Sequence, residues 1–129
     1  MDPEVSRNVN ETPYSGLTPD VLQEGLAELG FLTDGRLLAL NSYENRVYQV
    51  GIEDAEPVVV KVYRPGRWTR VALEEEHSFA LELAAAEVPV VAPLVIAGRT
   101  LHEMAGFQWA VYPRRGGRWP ELGTAAERE

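Results

Sequence analysis

Cysteine is absent from the 129 residues, which excludes disulfides, thiolate zinc centres and cysteine nucleophiles. Histidine occurs only twice, too seldom to build a structural zinc site where there are no thiolates. No apolar run approaches the roughly 18 residues of a membrane span. The opening MDPEVSRN has no basic region followed by an apolar one, so no secretory signal is expected. The cytoplasm is therefore the expected compartment. Basic residues are also scarce: 12 Lys and Arg stand against 20 Asp and Glu, a net charge of -8. That balance argues against a broad nucleic-acid footprint and against attraction to anionic lipid. A local anion site remains open, since one lysine and a few oriented amides can hold a phosphate.

What is present suits one globular domain or one lobe of a larger one: 45% hydrophobic and 25% charged residues. Residues 1–16 are polar and aperiodic and read as a flexible leader. GLTPDVLQEGLAELGF then reads as a short amphipathic helix, with Thr18 as N-cap, Pro19 at the first position and Gly30 as the stop. Three strand-like runs follow: RLLAL, NRVYQVGI and PVVVKVY, joined by NSYEN and an acidic EDAE tip. Short connections between successive strands imply an antiparallel meander. Thr69 can cap a long helix over residues 70–86, which Pro89 and Pro93 terminate. LVIAGRTLHEMAGFQWAVYP reads as two further strands around a Gly98-Arg99 turn, and RRGGRWP as a loop. The final Thr124-Ala-Ala-Glu127 has the form of a capping box. It is either a frayed tail or the first turn of a helix belonging to something longer.

One residue breaks the pattern of the third strand. Lys61 lies among Val58, Val59, Val60 and Val62, and an ammonium taken out of water costs several kcal/mol unless something compensates it. Either the lysine reaches solvent along its stem, or an anion sits above it. A carboxylate on the following helix is the natural partner. Among Glu74, Glu75 and Glu76, helical spacing puts Glu76 with Ala72, Leu73, Phe79, Ala80 and Leu83 in the apolar stripe, whereas Glu74 shares the side of Arg70 and His77, which suits solvent. The alternative for all three is an exposed acidic run near the helix N-terminus, where the dipole favours it.

A strand lysine, an inward helix glutamate and a turn between the first two strands form the plan of a protein-kinase small lobe. The turn Leu40-Asn41-Ser42-Tyr43-Glu44-Asn45 carries no G-x-G-x-x-G; Asn and Ser can instead fold side-chain hydrogen bonds into it. The blocks LNSYENRVYQV, VVVKVYRPGRW, LEEEHSFALEL, EVPVVAP and AGRT…GF…AVYP…GGR closely resemble the bacterial stress response kinase A family, among the aminoglycoside-phosphotransferase-like kinases. The resemblance runs from about residue 17 to 119.

It implies an α+β fold: a protein-kinase-like small lobe with a five-stranded antiparallel sheet, one major helix and a short N-terminal helix. It divides the chain into the leader 1–16, a lobe over 17–113, and a hinge with the truncated start of a second lobe over 114–129. It implies a cytoplasmic serine/threonine kinase that uses ATP and Mg²⁺ and answers envelope and oxidative stress. Lys61 would hold the ATP phosphates and Glu76 would pair with it. Ser42 would contact ATP, with Asn41, Tyr43 and Asn45 shaping the turn. Trp109 to Pro113, Tyr112 among them, would form the last strand and hinge, whose backbone could read the adenine edge. The family's catalytic aspartate and its asparagine and aspartate metal ligands have no counterpart in this sequence, so this chain alone is expected to lack transfer activity.

Other signals lead away from catalysis. His102-Glu103 begins like a zinc-protease helix, but the closing position is Gly106. Arg114, Arg115 and Arg118 read as a solvated loop, and Trp68, Trp109 and Trp119 as packing residues. Two other functions stay open: a lobe of a small-molecule kinase of the aminoglycoside, choline or homoserine type, or a free-standing module that binds nucleotide or protein. An isolated lobe would expose apolar surface and is expected to self-associate.

Overall fold

The computed structural model describes residues 14–40 and 44–114. Helix α1 (Pro19–Glu28) opens where Thr18 Oγ1 accepts from the Val21 amide at 3.2 Å, with Pro19 set in the first turn as the sequence requires. Three strands follow, β1 (Thr33–Leu40), β2 (Arg46–Ile52) and β3 (Ala55–Val62), then α2 (Arg70–Ala85), β4 (His102–Met104) and β5 (Phe107–Pro113). The five strands form one antiparallel sheet in the order β1-β2-β3-β5-β4. This is the expected α+β small lobe. Among the described residues no helix is long and apolar enough to cross a membrane.

Strand β3 sits at the centre of the sheet, which explains its unbroken apolar run: both of its faces are covered. Val58, Val60 and Val62 join Leu22 and Leu26 of α1, Trp109 and Val111 in one core. Val59 and Tyr63 point the other way and pack with Leu73 of α2, Ala110 and Tyr112. Each fully buried branched side chain contributes about 1.5–3 kcal/mol, so the two cores hold the two helices to opposite faces. Gly25 lets α1 lie flush on its face: a Cβ there would meet the Met104 sulfur, and Trp109 Cζ2 at 3.1 Å.

The structure departs from the sequence reading at four places. The hairpin of the last two strands turns at Ala105-Gly106, where both residues have positive φ, and Ile96 and Arg99 make only an isolated bridge. Two adjacent tight turns gave the sequence two equivalent choices, and the alternation of buried Phe107, Trp109 and Val111 decides for the second. Tyr14, expected in the flexible leader, is buried: its ring stacks on Phe107 at 6.1 Å and its hydroxyl donates to the Glu44 carbonyl at 2.9 Å. On α2 the buried stripe is Leu73, His77 and Ala80, so His77 turns inward rather than toward solvent. Phe79, expected inward, is 57% exposed.

Candidate functional site

Lys61 is 2% exposed. Its cross-strand partners are Val47 on β2 and Ala110 on β5, and Val47 in turn faces Leu40 on β1. Residues opposite one another in antiparallel strands share a face, so Leu40, Val47, Lys61 and Ala110 form one row across the sheet. Leu38, Gln49, Val59 and Tyr112 form the next. Where β1 forms the edge the face opens: Leu38 is 56% and Leu40 36% exposed. A lysine within an apolar row that opens at one edge can hold an anion whose other end is flat and apolar.

Aromatic rings surround the ammonium. Nζ lies 5.4 Å from the ring centroid of Tyr63 and 5.9 Å from that of Tyr112, within the range of cation–π attraction, which is stronger when the charge is desolvated. The two phenols lie 3.4 Å apart, and the Tyr63 hydroxyl is 2.8 Å from His77 Nε2. His77 Nδ1 is in turn 2.7 Å from Thr100 Oγ1. A neutral imidazole has one N–H donor and one acceptor nitrogen, so one of the two hydroxyls, of Tyr63 and Thr100, donates to the ring and the other accepts from it. Burial, then the charges of Lys61 and His102, holds the His77 pKa down to about 4, so the ring is neutral near pH 7.

Glu76 lies beside His77 on α2 and is half-buried, on the helix face turned to the Lys61 side of the sheet. Thr69 caps that helix, its Oγ1 accepting from Ala72 at 3.1 Å. Glu74 is exposed and pairs with Arg70 at 3.2 Å, in keeping with its expected solvated side.

Asn41, Ser42 and Tyr43 lie outside the described residues, as does the segment from Arg115 onward. The end of that first turn is described, and it is firmly anchored. Asn45 is buried and its Oδ1 accepts from the Arg64 amide at 3.1 Å. Glu44 is held through its carbonyl by Tyr14 and through its carboxylate by Arg67 at 3.0 Å. Past the opposite end of β3, Arg114 Nε donates to Gln49 Oε1 at 2.9 Å, spanning from the exit of β5 to β2. Among the described residues no cluster of His, Asp or Glu could hold a metal ion.

The sequence pattern of the phosphotransferase enzyme family matches residues 36–129. The chain belongs to that family. Within it, the chain is 48% identical over 111 residues to the serine/threonine protein kinase RdoA of Salmonella typhimurium, covering 86% of this chain and 34% of that protein. It is 50% identical over 105 residues to stress response kinase A of Escherichia coli K12, covering 81% of this chain and 32% of the relative. The chain thus spans about a third of the length of the curated relatives it matches.

Of the expected site residues, the structure gathers Lys61 and Tyr112 on one sheet face, sets Glu76 on the helix above that face, and buries Asn45 at the end of the turn. Sequence reasoning missed Leu38, Leu40 and Val47, although period-two alternation running out from Lys61 could have found them. It also missed the Tyr63–His77–Thr100 chain. The signal for His77 was its spacing of four from Leu73 and three from Ala80.

Proposed function

We propose that this chain is the nucleotide-binding small lobe of an ATP-dependent phosphotransferase, with Lys61 on the α and β phosphates, Glu76 as its counter-charge and the open β1 and β2 end of the same sheet face, at Leu38, Leu40 and Val47, under the adenine. The observation that carries this reading is Lys61 itself, a buried lysine at the centre of a sheet face that is apolar beside it and open at one edge. A structural lysine would not need that open apolar row. The residues present fit ATP: a fixed cation for its phosphates and, toward the β1 edge, the partly exposed apolar side chains of Leu38 and Leu40 for its base. Ser42 would contact the phosphates, with Asn41, Tyr43 and Asn45 shaping the turn that covers them, and the backbone around Tyr112 would meet the adenine edge.

Bound ATP supplies the γ-phosphoryl group; the residues of this chain orient and neutralise the rest of the molecule. A general base and Mg²⁺ ligands would have to come from outside the described residues, and the chain alone is expected to show no transfer. The name of one relative, a serine/threonine protein kinase, favours a serine or threonine hydroxyl of a protein as acceptor over an amino alcohol. Isothermal titration with MgATP tests the lobe reading. Lys61→Ala should weaken binding at least tenfold, on the order expected for a buried phosphate contact, and Glu76→Gln should weaken it less. Unchanged affinity in both variants would remove the model.

A further inference from the structure

Nucleotide lysines and their helix partners work only at a fixed spacing, and something must hold α2 against β3 while the ammonium stays desolvated. Apolar packing alone does this loosely here. Of the buried face of α2, only Leu73 and Ala80 are fully buried apolar residues, and the third buried position is His77. That imidazole makes directional contacts on both sides, to Tyr63 next to Lys61 and to Thr100 just before β4. Tyr63 extends the contact to Tyr112, and both phenol rings flank the Lys61 ammonium.

We propose that His77 is a positioning residue of the Lys61 site: through Tyr63 and Thr100 its neutral imidazole fixes the register of α2 on the sheet, and with it the spacing of the neighbouring Glu76 from Lys61. This inference rests on the reading of Lys61 as the phosphate-binding residue. The residue touches no nucleotide; it acts through Tyr63 on the lysine's surroundings and through the backbone on Glu76. Neutrality is part of the design. A protonated ring would carry a donor on both nitrogens, force both the Tyr63 and Thr100 hydroxyls to accept, and place a like charge beside Lys61.

Three variants of the full 129-residue chain separate positioning from simple packing. Gln places an amide where Nε2 lies and can keep the Tyr63 bond, Asn places one where Nδ1 lies and can keep only the Thr100 bond, and Leu keeps neither. Measured by MgATP titration, His77→Leu should lose roughly tenfold in affinity, His77→Asn should fall with it, and His77→Gln should recover to within about threefold. Tyr63→Phe removes one hydroxyl and leaves the ring packed on Trp68, so it remains informative even if His77→Leu does not fold; it should weaken binding to the same degree as His77→Asn. Folding of each variant is checked by amide chemical-shift dispersion. If the native chain binds MgATP and folded His77→Leu and Tyr63→Phe bind it equally well, the positioning role is wrong and the Lys61 reading stands. Equal affinities for the Gln and Leu variants would also overturn it. If the native chain binds MgATP no better than Lys61→Met, the Lys61 reading fails, and the inference falls with it.

Discussion

Lys61 and His77 show how the central strand and one helix exchange burial for chemistry. The lysine was legible in the sequence as an anomaly, because four valines around one ammonium demand an explanation. His77 was only weakly legible: its spacing from Leu73 and Ala80 puts it on the inner stripe, but a lone histidine after three glutamates matches a solvated run as well. Its inward turn depends on Tyr63 and Thr100, 14 and 23 residues away, and no local pattern encodes them. A pH dependence follows. The pKa of His77 is lowered by burial from 6.5 to about 4, so between those values the unfolded chain binds more protons than the folded one. The stability that this residue contributes is complete above pH 6.5 and is lost as pH falls toward 4. The charges of Lys61 on β3 and His102 on β4 add to the effect, and the ring meets the hydroxyl of Tyr63, just past β3, which reaches on to Tyr112 of β5. Carboxylates titrate in the same range, so the difference between the native chain and His77→Gln isolates the imidazole. In urea unfolding, the native chain should lose roughly 3 kcal/mol more than the variant between pH 7 and pH 4. Parallel losses in both chains would mean that His77 is not buried neutral.

At the scale of elements, the strands and both helices followed from alternation, capping residues and prolines, while the position of the last hairpin turn did not. The expected turn at Gly98-Arg99 and the observed one at Ala105-Gly106 are both Gly-containing, and only the pairing of β5 with β3 and β4 selects the second. Helix α2 shows the limit of reading a face from composition. Phe79 is the largest apolar residue of that helix, yet it lies on the solvent side beside Val71, because the inner face is taken up by Leu73, Glu76, His77 and Ala80. Helix α1 is simpler, with Leu22 and Leu26 both fully buried against the sheet. The two helices therefore respond differently to truncation. Leu26→Ala should cost about 2–5 kcal/mol in denaturant unfolding, whereas Phe79→Ala should stay within about 0.5 kcal/mol of the native chain. A large loss at Phe79 would place that ring in the core after all.

Over the whole molecule, one sheet separates two environments. The α1 face is an apolar core. The α2 face carries the lysine, the phenols, the imidazole and a row of leucine and valine that opens at the β1 edge. Family membership was legible because whole blocks of sequence encode this two-faced sheet. The platform residues were harder to see, because Leu38 and Leu40 look like ordinary core leucines until β1 is known to be an edge strand. The most direct test of the central claim is an amide chemical-shift titration of the chain with MgATP. Shifts should gather at Leu38, Leu40, Val47, Lys61 and Tyr112 and spare Leu22, Leu26 and the rest of α1. A response centred on the α1 face, or none at saturating nucleotide, would contradict the assignment of the Lys61 face as the ATP site.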